Sequence, residues 1–196
     1  MQKIVYPLNC SPSEVFKAAT WCLRSRKDKG PNGSFTITIA FLKSNDGHAY
    51  YLARVIEPAF FGPNVFNSEI DRLSKAYRER ARVGRMPPRA GLPNGVIAAW
   101  GDVTLVPLDA ESTQTLASGG NIKVGFVVDF LQDFQRSAQE GLPIYVLSGG
   151  AGMIWNASAD ESGKGKLRIS VVDASKLTVS APGEAGGVQP VQVRPE

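Results

Sequence analysis

The second half of the chain places a helix-like run, a glycine and a series of strand-like segments in immediate succession, and this order constrains the fold most. Residues 129–140 have helical character and stop at Gly141, where a glycine commonly ends a helix. Segments rich in β-branched and aromatic residues follow at 143–147, 153–155, 166–172 and 176–180, with a polar turn at 160–164. We therefore predict an α+β fold whose C-terminal half is an antiparallel β-barrel or sheet.

A capping pattern predicts a helix near the N-terminus. Residues 11–14 read Ser-Pro-Ser-Glu, in which the first serine can cap a helix, the proline suits its first turn, and the glutamate can reach back to the cap. Apolar residues between positions 15 and 23 recur at helical spacing. The only cysteines, Cys10 and Cys22, are too few for a disulfide framework or a four-cysteine zinc site. We expect both to be reduced, with Cys22 buried on this helix.

A β-hairpin and a second helix are predicted next. Residues 34–41 alternate apolar and polar side chains, an Asn-Asp-Gly turn follows, and residues 48–56 return. This order predicts a hairpin over residues 34–57, which Pro58 is expected to end. The second helix is predicted to be capped by Asn67 or Ser68. Its apolar stripe consists of Ile70, Leu73 and Tyr77.

A segment rich in proline and glycine at 86–93 is the predicted boundary between two parts of the chain. Residues 1–92 are expected to form an α/β region, either a separate unit or one whose hairpin completes the later sheet. Residues 93–182 are expected to form a β domain, and residues 183–196 a flexible tail. Within the β domain the predicted segments are a long strand at 95–107 bent at Gly101, a loop at 108–120 and a strand at 122–128.

The most basic part of the chain lies between residues 78 and 89, in a protein of net charge +4. Arginine forks match the geometry of phosphates, so this segment favours binding to a phosphate backbone. The alternative is a solvated helix face followed by a flexible basic loop. The arginines concerned are Arg78, Arg80, Arg82, Arg85 and Arg89.

Catalytic chemistry is poorly supported by the sequence. A single histidine, His48, rules out His-rich metal sites and leaves one ring for any serine or cysteine triad. The glycine run at 148–152 could cradle a phosphate, but it lacks the lysine of a P-loop and leads into a strand. The carboxylates that could hold a metal in an enzyme are either Asp102, Asp109 and Glu111 or, alternatively, Asp129 and Asp133. We predict no enzyme activity, no cofactor and no metal site.

The order of segments over residues 95–181 resembles an OB-fold of the bacterial single-stranded-DNA-binding type. The resemblance depends on the stretch 139–147, on Trp155 and on the Ser-Gly-Lys of 162–164. It implies a five-stranded barrel with a helix before its fourth strand and an oligonucleotide-binding face. The acidic, phenylalanine-ended tip by which bacterial members recruit partners is not present in the tail.

The resemblance also implies a basic groove with aromatic faces on which bases stack. The residues implied for stacking are Trp100, Tyr145 and Trp155, with Phe126 as a further candidate. The residues implied for phosphate contact are Lys123, Lys164, Lys166 and Arg168, in addition to Arg78, Arg82, Arg85 and Arg89. Aromatic residues on strands also commonly belong to a core, and that alternative stays open for each of them.

These features lead to the hypothesis of a non-catalytic protein that binds single-stranded DNA or RNA. The alternative is a structural or assembly subunit of a phage, conjugative or defence complex that acts through protein contacts, as proline-rich loops and exposed aromatics would suit. A homo-oligomer is compatible with both. No apolar segment approaches the roughly 20 residues of a membrane helix, so we expect a cytoplasmic protein with no membrane partner.

Overall fold

The computed structural model describes residues 8–13, 16, 19–44, 48–62, 64–122 and 124–174. The predicted strand at 176–180, the predicted tail at 183–196 and Lys123 lie outside the described residues. The helices are α1 (Val65–Tyr77), α2 (Ala110–Ala117) and α3 (Phe134–Gln139). The strands are β1 (Asn9–Pro12), β2 (Ala19–Gly30), β3 (Gly33–Ser44), β4 (Ala49–Phe60), β5 (Arg82–Arg85), β6 (Asn94–Gly101), β7 (Thr104–Pro107), β8 (Val127–Asp129), β9 (Ile144–Gly149), β10 (Ala151–Ala159) and β11 (Lys164–Asp173).

The strands form two open antiparallel sheets. The larger has eight strands in the order β1, β2, β3, β4, β11, β10, β6, β5, and the smaller has three in the order β7, β9, β8. An antiparallel sheet with few helices is therefore confirmed, whereas an OB-like barrel is not. Strands from both sides of residue 92 share the larger sheet, because β11 pairs with β4 over most of its length.

Two apolar layers cover the two faces of the β6–β10–β11 region. On one face, Ile70 and Leu73 of α1 pack against Trp100 and Trp155. On the other face, Ile97 and Ile154 meet residues of the smaller sheet and of the segment before α3, including Val128, Phe130 and Leu147. Alternate residues of β6 and β10 point to opposite faces, so each strand supplies both layers. Both strands are mainly apolar for this reason.

The predicted N-terminal helix is wrong. Residues 9–12 form β1, and β2 pairs with β3 over its whole length, from Ala19 opposite Ser44 to Gly30 opposite Gly33. The same residues fit a period of two, with Cys22 and Arg24 on one face and Trp21 and Leu23 on the other. A long hairpin ladder outweighs a local capping pattern because it satisfies the backbone hydrogen bonds of the whole segment.

The cysteines also differ from the prediction. Cys10 and Cys22 are joined by a disulfide that links β1 to β2, and Cys22 is fully buried, but on a strand. Neither cysteine is free. Disulfides are rare in cytosolic proteins, so this bond is not what a cytoplasmic location leads one to expect.

The hairpin prediction is confirmed by β3 and β4, although β4 passes through Pro58 and continues to Phe60. The second helix is confirmed as α1, but it begins at Val65 with Asn64 as its N-cap rather than Asn67 or Ser68. The predicted stripe is only partly correct, because Ile70 and Leu73 are buried whereas Tyr77 is 50% exposed.

The bend predicted at Gly101 is confirmed. Gly101 has a φ of 78°, β6 ends there, and the chain continues into β7 of the other sheet. The loop predicted at 108–120 is wrong, since it contains α2. In place of the strand predicted at 122–128, the structure has the shorter strand β8. In place of the helix predicted at 129–140 it has the shorter helix α3, and Gly141 after it adopts a left-handed conformation.

Candidate nucleic-acid interface

The end of α1 and the edge strand β5 bring the arginine-rich segment to one surface. Arg78 ends α1 in a left-handed conformation, and its backbone N–H donates to the carbonyl of Lys75. The chain then reverses direction and enters β5 at Arg82. Among the described strands, β5 pairs with β6 alone and forms one edge of the larger sheet. All four residues of β5 are exposed, and so are Arg78 and Arg80.

A groove of about 710 Å³ lies between α1 and β5, and its rim is mostly basic. Two carboxylates, Asp71 and Glu79, also line it. Both carboxylate oxygens of Glu79 accept from the backbone N–H of Gly101, at 3.0 and 3.1 Å, and one lies 4.0 Å from Arg82. The charge of Glu79 is therefore directed toward the sheet and partly compensated. The cations on the rim are Lys75, Arg78, Arg80 and Arg85.

Strand periodicity separates the two arginines of β5. Arg85 lies opposite Val96, on the face covered by α1, and its guanidinium donates to the side-chain oxygen of Asn67 on that helix. Arg82 lies opposite Ala99, on the other face, and donates to the carbonyl of Val103 at 3.0 Å. Arg85 thus belongs to the groove, while Arg82 points away from it.

Arg89 lies in the proline-rich loop after β5. Its guanidinium donates to the carbonyl of Glu140, at the end of α3, at 2.9 Å. Arg136 of α3 donates in return to the carbonyl of Gly91 at 3.3 Å. These two hydrogen bonds attach the loop to α3, so Arg89 is not among the residues that line the groove.

The two tryptophans implied for base stacking are buried. Trp100 and Trp155 are each 1% exposed, and both pack in the layer beneath α1. The indole N–H of Trp100 donates to Ser74 Oγ at 3.1 Å, while Phe66 meets Trp155 edge to face at 5.6 Å. Neither ring offers a face to a ligand in this structure, which favours the core interpretation.

The basic residues of β11 that the resemblance implied lie on the opposite face from the groove. Lys166 and Arg168 alternate on β11 with Leu167, which packs in the layer under α1. Lys166 forms an ion pair with Glu57 of β4 at 2.9 Å. Lys164 shares their face and is exposed. The structure therefore places the basic residues of β11 on the opposite face of the sheet from Arg85.

Tyr145 on β9 is half-buried. Its ring meets Phe130 edge to face at 6.3 Å, and it lines a separate pocket of about 300 Å³ with Arg82. Phe126 is stacked on Tyr51 at 4.2 Å inside another aromatic cluster. Both rings have protein partners on the face away from the groove.

An exposed aromatic residue that sequence reasoning assigned to the helix stripe adjoins the groove in sequence but is not among the residues that line it. Tyr77 is the last residue of α1 and directly precedes Arg78. Its ring is stacked on Trp100, with centroids 6.1 Å apart and planes at 28°. Half of the residue remains accessible to solvent. The sequence signal was a helix-terminal aromatic followed at once by arginines.

A buried carboxylate lies on the far side of the sheet from the groove. Asp129 is fully buried, and burial raises the pKa of its carboxyl. The Ser137 hydroxyl and the backbone N–H of Asp133 donate to Oδ2 at 2.6 and 3.0 Å and oppose that shift. Among the described residues, no group of three or more His, Cys, Asp or Glu side chains could hold a metal ion.

No protein family, curated protein or solved structure matches this chain in the comparisons made. In the part of the chain that the structure describes, none of the helices has the length and apolar character needed to cross a membrane.

Proposed function

We propose that the protein binds single-stranded nucleic acid, without catalysing chemistry on it, through the groove between α1 and β5. The observation that carries the proposal is the convergence of Lys75, Arg78, Arg80 and Arg85 around one groove. These residues lie at the end of α1, in the segment between α1 and β5, and on the edge strand β5. The tertiary structure therefore brings them to one surface. Cations arranged along a groove attract a polyanion and release its counterions.

The preference for a single strand is supported by Tyr77. Unpaired bases expose flat faces that stack on aromatic rings, whereas the bases of a duplex are already stacked. Tyr77 directly precedes Arg78, is half exposed, and is stacked on Trp100. A ring supported in this way keeps its orientation, which reduces the entropy lost when a base stacks on it.

The test is fluorescence anisotropy with labelled single-stranded and duplex oligonucleotides, using the double variant Arg78→Gln/Arg80→Gln. The matched control is Lys27→Gln/Lys29→Gln, which removes two exposed cations from the β2–β3 hairpin, on the far side of the larger sheet. Both variants lower the net charge from +4 to +2 (4 − 2 = 2). We expect tight single-strand binding that only the arginine variant weakens. Equal weakening by both variants, or no binding at low salt, would overturn the proposal.

A subunit of a larger assembly is a second candidate, and one observation favours it. Leu52 and Val171 are opposite each other on β4 and β11, and each is 48% exposed. Ile39 on β3 lies on the same face and is 39% exposed. Contiguous exposed apolar residues commonly mark protein contacts. Association that Leu52→Lys abolishes, combined with absent oligonucleotide binding, would favour this candidate.

A further inference from the structure

We propose that a second groove, adjoining the first at Arg85, is a subsite for a nucleobase of the same strand. This inference rests on the proposed function and adds a second contact with a different chemistry. The second groove lies between the start of α1, the loop after β5 and the turn between β10 and β11. Its volume of about 840 Å³ falls in the range of about 300–1,000 Å³ that small-molecule sites occupy.

The walls of this groove are apolar and partly aromatic. Phe61 and Phe66 meet edge to face at 4.9 Å and form one wall. Met86, Pro87 and Pro88 line the groove as well. Proline and aromatic rings give flat, rigid surfaces that suit the face of a base. The exposed side chains of Asn94 and Ser162 add hydrogen-bonding groups at the rim, as base edges require.

The charges of the two grooves differ in sign. The first has the cations of the α1–β5 surface, whereas the second is lined by Asp160 and Glu161, with Arg85 as its cation. The Asp160 carboxylate accepts from the hydroxyl and the backbone N–H of Ser162, and the hydroxyl's hydrogen bond is the main reason that the pKa of Asp160 is lowered. It is thus a fixed negative charge. The carboxylates of this groove repel a phosphate, but they do not repel an uncharged base.

Continuity between the two grooves is provided by Arg85 and Asn67, which line both and are hydrogen-bonded to each other. A strand whose phosphates lie along the basic groove therefore passes Arg85 and can place a base against the proline and phenylalanine walls. The arrangement alternates phosphate contact and base contact along one path, as single-strand-binding grooves do.

The experiment compares two strands of equal length in the full protein, a normal oligonucleotide and an abasic one. Both carry the same phosphates, so the ratio of their affinities reports base contacts alone. The test variant is Pro88→Glu, an exposed position in the groove, and the control is Pro107→Glu, an exposed position on β7. A second variant, Asn94→Asp, changes the polar rim without changing its size. The carboxylate that a variant adds repels the phosphates of both oligonucleotides equally. Its electrostatic effect therefore cancels in the ratio of the two affinities.

We expect Pro88→Glu to lower the affinity ratio by about fivefold or more, since stacking of one base is worth ~1–3 kcal/mol. Asn94→Asp should lower it too, and Pro107→Glu should not. If both groove variants leave the ratio unchanged while the abasic strand still binds, the base subsite is refuted and the proposed function stands. If the abasic strand does not bind the wild-type protein at low salt, the proposed function and the subsite both fail.

Discussion

Tyr77 illustrates how a single residue can belong to the core and to the surface at once. Its ring is stacked on the buried Trp100, while half of the residue is exposed directly before Arg78. The helical spacing in the sequence assigned Tyr77 to the apolar stripe of α1. Its contact with the buried Trp100 agrees with that assignment. Its exposure follows from its position at the last turn, where α1 reaches the edge of the sheet.

Tyr77→Ala is expected to weaken single-strand binding about 5- to 150-fold, which corresponds to the ~1–3 kcal/mol of one stacked base. Tyr77→Phe keeps the ring and should bind like the wild type. Anisotropy measures both affinities, and duplex affinity serves as the internal control because it should not change. Equal losses in Tyr77→Ala and Tyr77→Phe would contradict stacking.

Asp129 makes the stability of the protein depend on pH. Its carboxyl is buried, and Oδ1 has no hydrogen-bond partner within the described part of the chain. Burial raises its pKa above the ordinary value of 3.8, so the native state holds this proton more tightly than the unfolded chain does. The stability that the proton provides is complete below pH 3.8 and is lost as the pH rises through the folded-state pKa.

Asp129→Asn should therefore flatten the fall in unfolding free energy between about pH 4 and the folded-state pKa. One proton contributes at most about 1.4 kcal/mol per pH unit to that slope. Urea denaturation at a series of pH values gives the slope for the wild type, for Asp129→Asn and for Asp102→Asn, an exposed site with the same chemical change. An identical slope in the wild type and Asp129→Asn would show that Asp129 is not the titrating group.

At the scale of elements, the hairpin of β3 and β4 and the later strands were predictable because each carries its own period and turn. The segment at 11–30 was not, because its residues fit a helix and a strand equally well. Cys22 lies on one face of either element, and only pairing with β3 distinguishes them. The α2 helix was missed in a polar stretch, although Asp109 caps it by accepting from the N–H of Ser112 at 2.8 Å.

Two glycines, Gly149 at the end of β9 and Gly152 near the start of β10, differ in the space around them for a side chain. A Cβ on Gly152 would collide with the backbone carbonyl of Trp100 on β6, whereas one on Gly149 would meet nothing within 4 Å. Gly152→Ala should lower the free energy of unfolding by about 1–3 kcal/mol, as overpacking does. Gly149→Ala should stay within about 0.5 kcal/mol of the wild type. Denaturant midpoints measure both, and similar midpoints would contradict the close packing of β6 and β10.

Across the whole molecule, the sequence revealed the arginines of the candidate site because they lie close together within residues 78–85. It did not show which face of the sheet each basic residue occupies. Lys166 and Arg168 lie on one face and Arg85 on the other, and that separation arises only when β11, β10 and β6 are placed side by side. The burial of Trp155 likewise depends on α1 covering its face, which no local pattern reports.

The central claim is that the groove between α1 and β5 contacts phosphates, and the dependence of single-strand affinity on salt tests it most directly. Each phosphate contact contributes about −0.7 to the slope of log K against log salt for a single strand. Arg78→Gln/Arg80→Gln should therefore make the slope about 1.4 less steep and weaken binding roughly 25-fold at 0.1 M salt. Lys27→Gln/Lys29→Gln should leave the slope unchanged. A wild-type slope that persists in the arginine variant would contradict the claim.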